Sequence, residues 1–104
     1  MRFVNEHKIV WGAEPKNYTG AAATEDIVNL KNYGHLTIII QTGAWAAGTA
    51  AVTLLQSTDV AAAGSKALNL DLMWTNDAAP TTDTLVETTV ASDTFNLDTA
   101  NALY

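Results

Sequence analysis

No cysteine occurs in the sequence. That removes disulfide staples, thiol nucleophiles and thiolate metal ligands together. The redox compartment stays open, because a cysteine-free chain fits either side of a membrane. Basic residues are scarce and unevenly placed: Arg2, Lys8, Lys16, Lys31 and Lys66 are all of them. Beyond Lys66, the acids Asp71, Asp77, Asp83, Glu87, Asp93 and Asp98 meet no Lys or Arg, and the formal net charge is −6. Such a surface repels phosphate backbones and anionic headgroups, so no nucleic-acid partner and no membrane docking are expected. A basic patch on a protein partner would still fit. Long apolar runs are also missing. The longest uncharged apolar stretch, 43–55, is interrupted by Gly48, Thr49 and Thr53 and falls short of the roughly 20 residues a spanning helix needs. The first ten residues carry Arg2, Glu6, His7 and Lys8 and lack the apolar core of a signal peptide. These absences predict a soluble chain made in a cytoplasm.

What is present is small and β-forming. The 104 residues allow a single β domain over 1–104, able to bury roughly two-thirds of the surface its unfolded chain exposes. Eighteen Ala and fifteen Thr dominate the composition. The alanines cluster as Ala21-Ala22-Ala23, Ala46-Ala47-Gly48, Ala61-Ala62-Ala63-Gly64 and Ala78-Ala79-Pro80, each against Gly, Thr or Pro. None continues into a 3.6-residue apolar period, so they read as loops rather than helices. Between them the period is two. Strands are expected over 6–11, 26–30, 36–41, 50–56, 67–74, 84–90 and 94–97. The three consecutive isoleucines of 36–41 suit a central strand covered on both faces. Leu68, Leu70, Leu72 and Trp74 should share one inward face, with Asn69 and Asp71 outward and Met73 the apolar exception. Asn32-Tyr33-Gly34, Thr42-Gly43, Ala47-Gly48, Ala63-Gly64 and Ala79-Pro80 are turn material.

This pattern predicts an all-β fold, an antiparallel β-sandwich or jelly-roll-like barrel of about seven short strands, because turn signals recur about every ten residues. The one short helical candidate is 98–103, with Asp98 as its cap. The C-terminus stays apolar through Phe95, Leu97, Leu103 and Tyr104. Either that end is clamped in an interface, or the domain lacks a C-terminal continuation.

Chemistry-bearing constellations are sparse. His7 and His35 are the two imidazoles and Ser57, Ser65 and Ser92 the serines, none in a Gly-x-Ser-x-Gly elbow. His35 reads as a turn or strand-start residue. The adjacent pair Glu25-Asp26 would point to opposite strand faces and so share no proton. Asn76 to Asp83 offers two carboxylates and two hydroxyls, without the acid density or central glycine of an EF-hand loop. The segment Gly43-Ala44-Trp45-Ala46-Ala47-Gly48 lacks the lysine and following helix of a phosphate loop. No catalytic residue, no metal ligand and no cofactor is therefore assigned, and the chain is not expected to be an enzyme.

The tryptophans divide. Trp11 and Trp74 end alternating strands and are expected in the core. Trp45 is bracketed by Gly43 and Gly48 among alanines. It is either a contact anchor on a loop, where an indole is a frequent hot spot, or a cap on one end of the sandwich. Trp45, Tyr33 and Tyr104 are the candidate partner contacts.

Two stretches then carry a likeness: Val28-Asn29-Leu30-Lys31-Asn32-Tyr33-Gly34-His35-Leu36-Thr37-Ile38-Ile39-Ile40, and Thr42-Gly43-Ala44-Trp45-Ala46-Ala47-Gly48-Thr49-Ala50-Ala51-Val52-Thr53-Leu54. With Gln56-Ser57-Thr58-Asp59-Val60, Gly64-Ser65-Lys66-Ala67-Leu68 and Met73-Trp74-Thr75-Asn76-Asp77, the sequence resembles a family of small virion structural proteins encoded among the head genes of tailed bacteriophages. The resemblance implies a capsid decoration (cement) or auxiliary head protein that binds the major capsid protein or other virion proteins, located in the virion. It also implies a C-terminal continuation. A homo-oligomer would suit the small core. A tail or head–tail joining protein is the alternative, and a carbohydrate-binding β-sandwich module the alternative from another class.

Overall fold

The computed structural model describes residues 7–18, 23–46, 48–78 and 81–104. Among these the chain is all-β, and every strand pair is antiparallel. Six short strands form: β1 (Ala50–Thr53), β2 (Leu55–Gln56), β3 (Lys66–Ala67), β4 (Leu70–Thr75), β5 (Val86–Ser92) and β6 (Thr94–Leu97). They make three two-stranded sheets, β1 with β6, β2 with β3, and β4 with β5.

Local chemistry explains the breaks. The expected strand 50–56 is interrupted at Leu54, where the chain changes partner. Leu54 N donates to Asp93 O at 2.8 Å, extending the β6 side, while Leu54 O accepts from Leu68 N at 3.0 Å on the β3 side. The loop from β2 to β3 is closed by Asp59, whose Oδ1 accepts from Ala61 N (2.8 Å) and Ala63 N (3.1 Å). Ala62 and Gly64 there have φ of 62° and 61°, the left-handed region that glycine occupies freely and alanine does not. A Cβ at Gly64 would meet Thr58 only at ordinary contact distance, so backbone conformation rather than space favours glycine.

β4 and β5 are joined with a bulge. Leu70 pairs with Ser92 but Leu72 with Thr89, so β5 carries one extra residue, and Ala91 within it has φ 50°. A bulge of this kind re-aims the side chains of the strand that bears it.

The organising centre is the C-terminal segment, which lies between two others. Ile40 and Tyr104 exchange both main-chain hydrogen bonds at 2.9 Å, and Thr42 N donates to Ala102 O at 3.0 Å. On the other side Leu103 exchanges bonds of 2.8 and 3.0 Å with Asn76. Ala102 is fully buried, and Thr42, Thr75, Asn76 and Leu97 are the other buried residues. This centre is mostly polar and held by directional bonds. Thr42 Oγ1 accepts from Ala102 N (2.8 Å) and faces Thr99 O and Ala102 O (2.8 and 3.2 Å). Asn76 Nδ2 donates to Thr82 O (2.7 Å) and its Oδ1 accepts from Ala78 N (3.1 Å). Such satisfaction is what burying these groups requires.

Several expectations are corrected. The apolar spine expected on 68–74 forms only in part: Leu68 and Leu70 are half-buried with Asn69 and Asp71 exposed, but Leu72 is exposed and Trp74 is 51% exposed, while Met73 is half-buried and Thr75 buried. Beyond the bulge, the face of β4 that packs inward is thus the one opposite to that expected, because Met73 and Thr75 share a cleft with Phe95 and Tyr104. Trp11, expected in the core, is 80% exposed. The run 36–41 is no covered central strand, since Ile39 is 72% exposed and only Gln41 forms a bridge, to Leu103. Residues 26–30 form no strand, nor do 7–11 of the expected strand 6–11, whose Glu6 lies outside the described residues. The segment 98–103 is no helix. Asn101 has φ 55°, which reverses the chain into the bridge at Leu103, and the Asp98 carboxylate accepts from the Thr99 and Tyr104 hydroxyls.

The chain exposes 8398 Å², whereas a compact folded chain of 11.0 kDa exposes about 5,600 Å². It therefore buries about half of its unfolded surface rather than two-thirds. The radius of gyration, 14.9 Å, likewise exceeds the roughly 13 Å of a compact domain of this length.

Candidate functional site

The three candidate contact residues sit on different parts of the chain. Tyr33 follows the turn begun at Leu30, whose carbonyl accepts from Tyr33 N at 3.0 Å. Asn32 adopts φ 72° and the Asn29 carboxamide caps Lys31 N at 2.8 Å. The ring of Tyr33 is exposed. Trp45 is half-buried. Its loop is tied at one end, where Gly43 O accepts from Asn101 N at 3.1 Å, and Ala47 lies outside the described residues. Tyr104 is half-buried and anchored. Its hydroxyl accepts from Asp98 N (3.3 Å) and Thr99 N (3.2 Å) and donates to Asp98 Oδ1 (3.3 Å). The apolar terminus noted in the sequence is thus clamped within the chain itself.

The groups capable of acid–base or nucleophilic chemistry are dispersed and engaged locally. Ser57 Oγ donates to Asp59 O (2.8 Å), Ser65 Oγ to Ala62 O (2.6 Å), and Ser92 Oγ faces Asp93 Oδ1 at 3.4 Å. His35 is exposed. Glu25 and Asp26 lie on no strand and have different partners: Lys16 Nζ lies 3.3 Å from Glu25 Oε1, while Asp26 Oδ1 accepts from Ile27 N at 2.9 Å. In the Asn76–Asp83 loop the side chains tie the loop to itself. Thr81 Oγ1 donates to Ala78 O (3.1 Å) and Thr82 Oγ1 accepts from Thr84 N (3.2 Å), and Asp77 and Asp83 face solvent. No cluster of three or more metal-ligating side chains occurs among the described residues.

Two shallow clefts are present. One, of about 370 Å³, lies between β4, β5 and β6, with Met73, Thr75, Thr88, Phe95 and Tyr104 in its walls. The other, of about 520 Å³, is bounded by Trp11, Glu14, Lys16, Glu25 and Asp26. Beside it the Lys16 ammonium sits 4.9 Å from the centre of the Tyr18 ring. Pairing with Glu25 raises the Lys16 pKa above its ordinary value, and loss of solvent raises that of the Tyr18 phenol. A sugar platform generally needs rings arrayed on one face, and Trp11 is the single aromatic lining this cleft.

The larger feature is apolar surface without cover. Ile9, Trp11, Ile39, Leu55, Val60 and Val86 all stand more than half exposed. Nothing in composition flagged these particular positions, because alternation marks a face as apolar without saying that the chain covers it. No helix among the described residues is long and apolar enough to cross a membrane. No family model, no curated protein and no solved structure matches the chain.

Proposed function

We propose that this chain is a structural subunit of a tailed-phage virion, a capsid decoration or auxiliary head protein that works as an assembly. The observation that carries the assembly reading is the uncovered apolar surface: Ile9, Trp11, Ile39, Leu55, Val60 and Val86 all stand more than half exposed. Uncovered apolar area of this extent marks a contact surface. The virion reading rests on the resemblance of 28–77 to small phage head proteins. In the assembled state the three small sheets would be joined by neighbouring strands into a β-sandwich or jelly-roll-like barrel, giving the exposed residues of β4 a partner. The acidic C-terminal third suits a basic patch on the major capsid protein. Trp45, half-buried on its tied loop, is the proposed anchor, because an indole brings large apolar area with few rotors to freeze.

Mass spectrometry of purified particles tests the reading. The chain should be present in hundreds of copies per particle; about six or twelve copies would instead place it in a tail or connector ring, and absence would overturn the proposal. Trp45→Ala should weaken the affinity for particles about thirty-fold, the loss typical of a hot spot worth about 2 kcal/mol, and so lower occupancy at subsaturating protein. Unchanged occupancy would remove Trp45 from the contact.

A further inference from the structure

Among the described residues the chain contains one apolar strand-forming segment that it leaves unpaired and a second that it pairs along one edge alone. The first is 8–11, Lys8-Ile9-Val10-Trp11, whose apolar side chains are all exposed. Its neighbour Gly12 is tied to Asp26 N at 3.0 Å, which holds the segment where it stands, yet no main-chain hydrogen bond from the described residues reaches 8–11 itself. The second is 37–41. Its direction is set at Ile40 and Thr42, whose main-chain groups bond to the C-terminal segment. Successive residues of a strand turn their N–H and C=O to opposite edges. Strand geometry carried back from Ile40 therefore turns Thr37, Ile39 and Gln41 to the other edge. That edge receives no main-chain hydrogen bond from the described residues, and its three residues are exposed.

An uncovered edge rich in β-branched residues is a template for another strand. The lengths agree, since four or five residues of strand span about 13–17 Å. Resting on the reading of the chain as an assembly subunit, we infer that copies of this protein join by strand addition, residues 8–11 of one copy pairing along the Thr37–Ile39–Gln41 edge of the next. The occupant is a second copy because one chain supplies both the unpaired strand and the unpaired edge. The area agrees as well. The chain exposes about 2,800 Å² more than a compact domain of its mass, enough for the roughly 1,000–2,500 Å² that each partner of an obligate interface buries. A contact that runs head to tail closes into a ring if the rotation between copies allows.

The cysteine-free background makes the test direct. Single-cysteine variants at the exposed positions Lys8 and Val10 would each be mixed with variants at Thr37, Ile39 and Gln41 and oxidised. The expected result is a product of twice the 11.0 kDa chain mass in at least one mixture and in neither variant of that pair alone. Light scattering of the unmodified chain should give a mass at least double that of one chain. Ile39→Pro, which deletes an edge N–H, should lower that mass to one chain. A monomer in light scattering, or an oligomer in which no mixture cross-links, would overturn the inference. A cross-linking chain that never appears in particles would sink the virion reading and leave this inference standing. Particles that carry a chain incapable of cross-linking would do the reverse.

Discussion

Residues 7–39 and residues 40–104 are similarly rich in strand-forming side chains but differ in what those side chains meet. In 40–104, every described strand finds a partner within the chain, and the five residues buried among those described all lie there. In 7–39, Ile9, Trp11, Leu36 and Ile39 are at least as apolar, yet they stay in solvent and no strand forms among the described residues. The difference is one of closure. The C-terminal segment lies between Ile40–Gly43 and Asn76 and supplies a ladder to both. Nothing among the described residues does the same for 7–39. Period-two patterning prepares a strand, and a hydrogen-bonding neighbour makes it one.

The comparison can be broken most forcefully at Leu97, the one large apolar side chain that is buried among the described residues. Leu97→Ala should cost about 2–5 kcal/mol in denaturant unfolding, whereas Ile39→Ala in the unassembled chain should cost within about 0.5 kcal/mol. Equal losses would mean that the two regions are held alike. Next in size is the polar node. Thr42→Val keeps the shape but leaves Ala102 N without its acceptor, a loss of about 1–3 kcal/mol; an unchanged midpoint would show that water replaces the hydroxyl. Smaller still is the bulge in β5. Ala91→Gly relieves the left-handed backbone at φ 50° and should raise stability by up to about 1 kcal/mol, read as a higher melting temperature; a lower one would argue against that backbone.

The smallest effect belongs to the early region's ion pair. Glu25 holds the Lys16 pKa above its ordinary 10.5. The stabilisation is therefore complete below that value and is lost as pH rises through the raised one. Glu25→Gln should remove only a slight advantage near neutral pH, since the lysine is open to solvent. Its melting profile should converge on that of the parent above the lysine range. Divergence growing with alkalinity would reverse the assignment.

Particular residues show how far sequence reached. The turns at Asn32 and Ala63-Gly64 were legible, because left-handed backbone selects Asn and Gly. Strand β6 appears where expected, since Thr94 to Leu97 alternate cleanly between tight breaks. The inward face of β4 was legible at Leu70 but misassigned beyond the bulge: Leu72 and Trp74 outrank Met73 and Thr75 in hydrophobicity, but the ladder to Asn76 and the C-terminal segment decides which side is covered. Trp45, Tyr33 and Tyr104 were legible as aromatics near loops or ends. That Tyr104 would bind its own residues 98 and 99 was not, because such a contact depends on the reversal at Asn101.

The sequence by itself determined the all-β class, the turns at Asn32 and at Ala63-Gly64, the acidic C-terminal third and the exclusion of thiol chemistry. These follow from residue type and near-neighbour spacing, which act within a few residues. Only the tertiary structure decided which strands pair, that the buried centre is a hydrogen-bonded node of Thr42, Asn76 and Ala102, and that much of the apolar side-chain surface remains uncovered. Pairing and burial depend on contacts such as Thr42 with Ala102, sixty residues apart, and no local pattern carries their register.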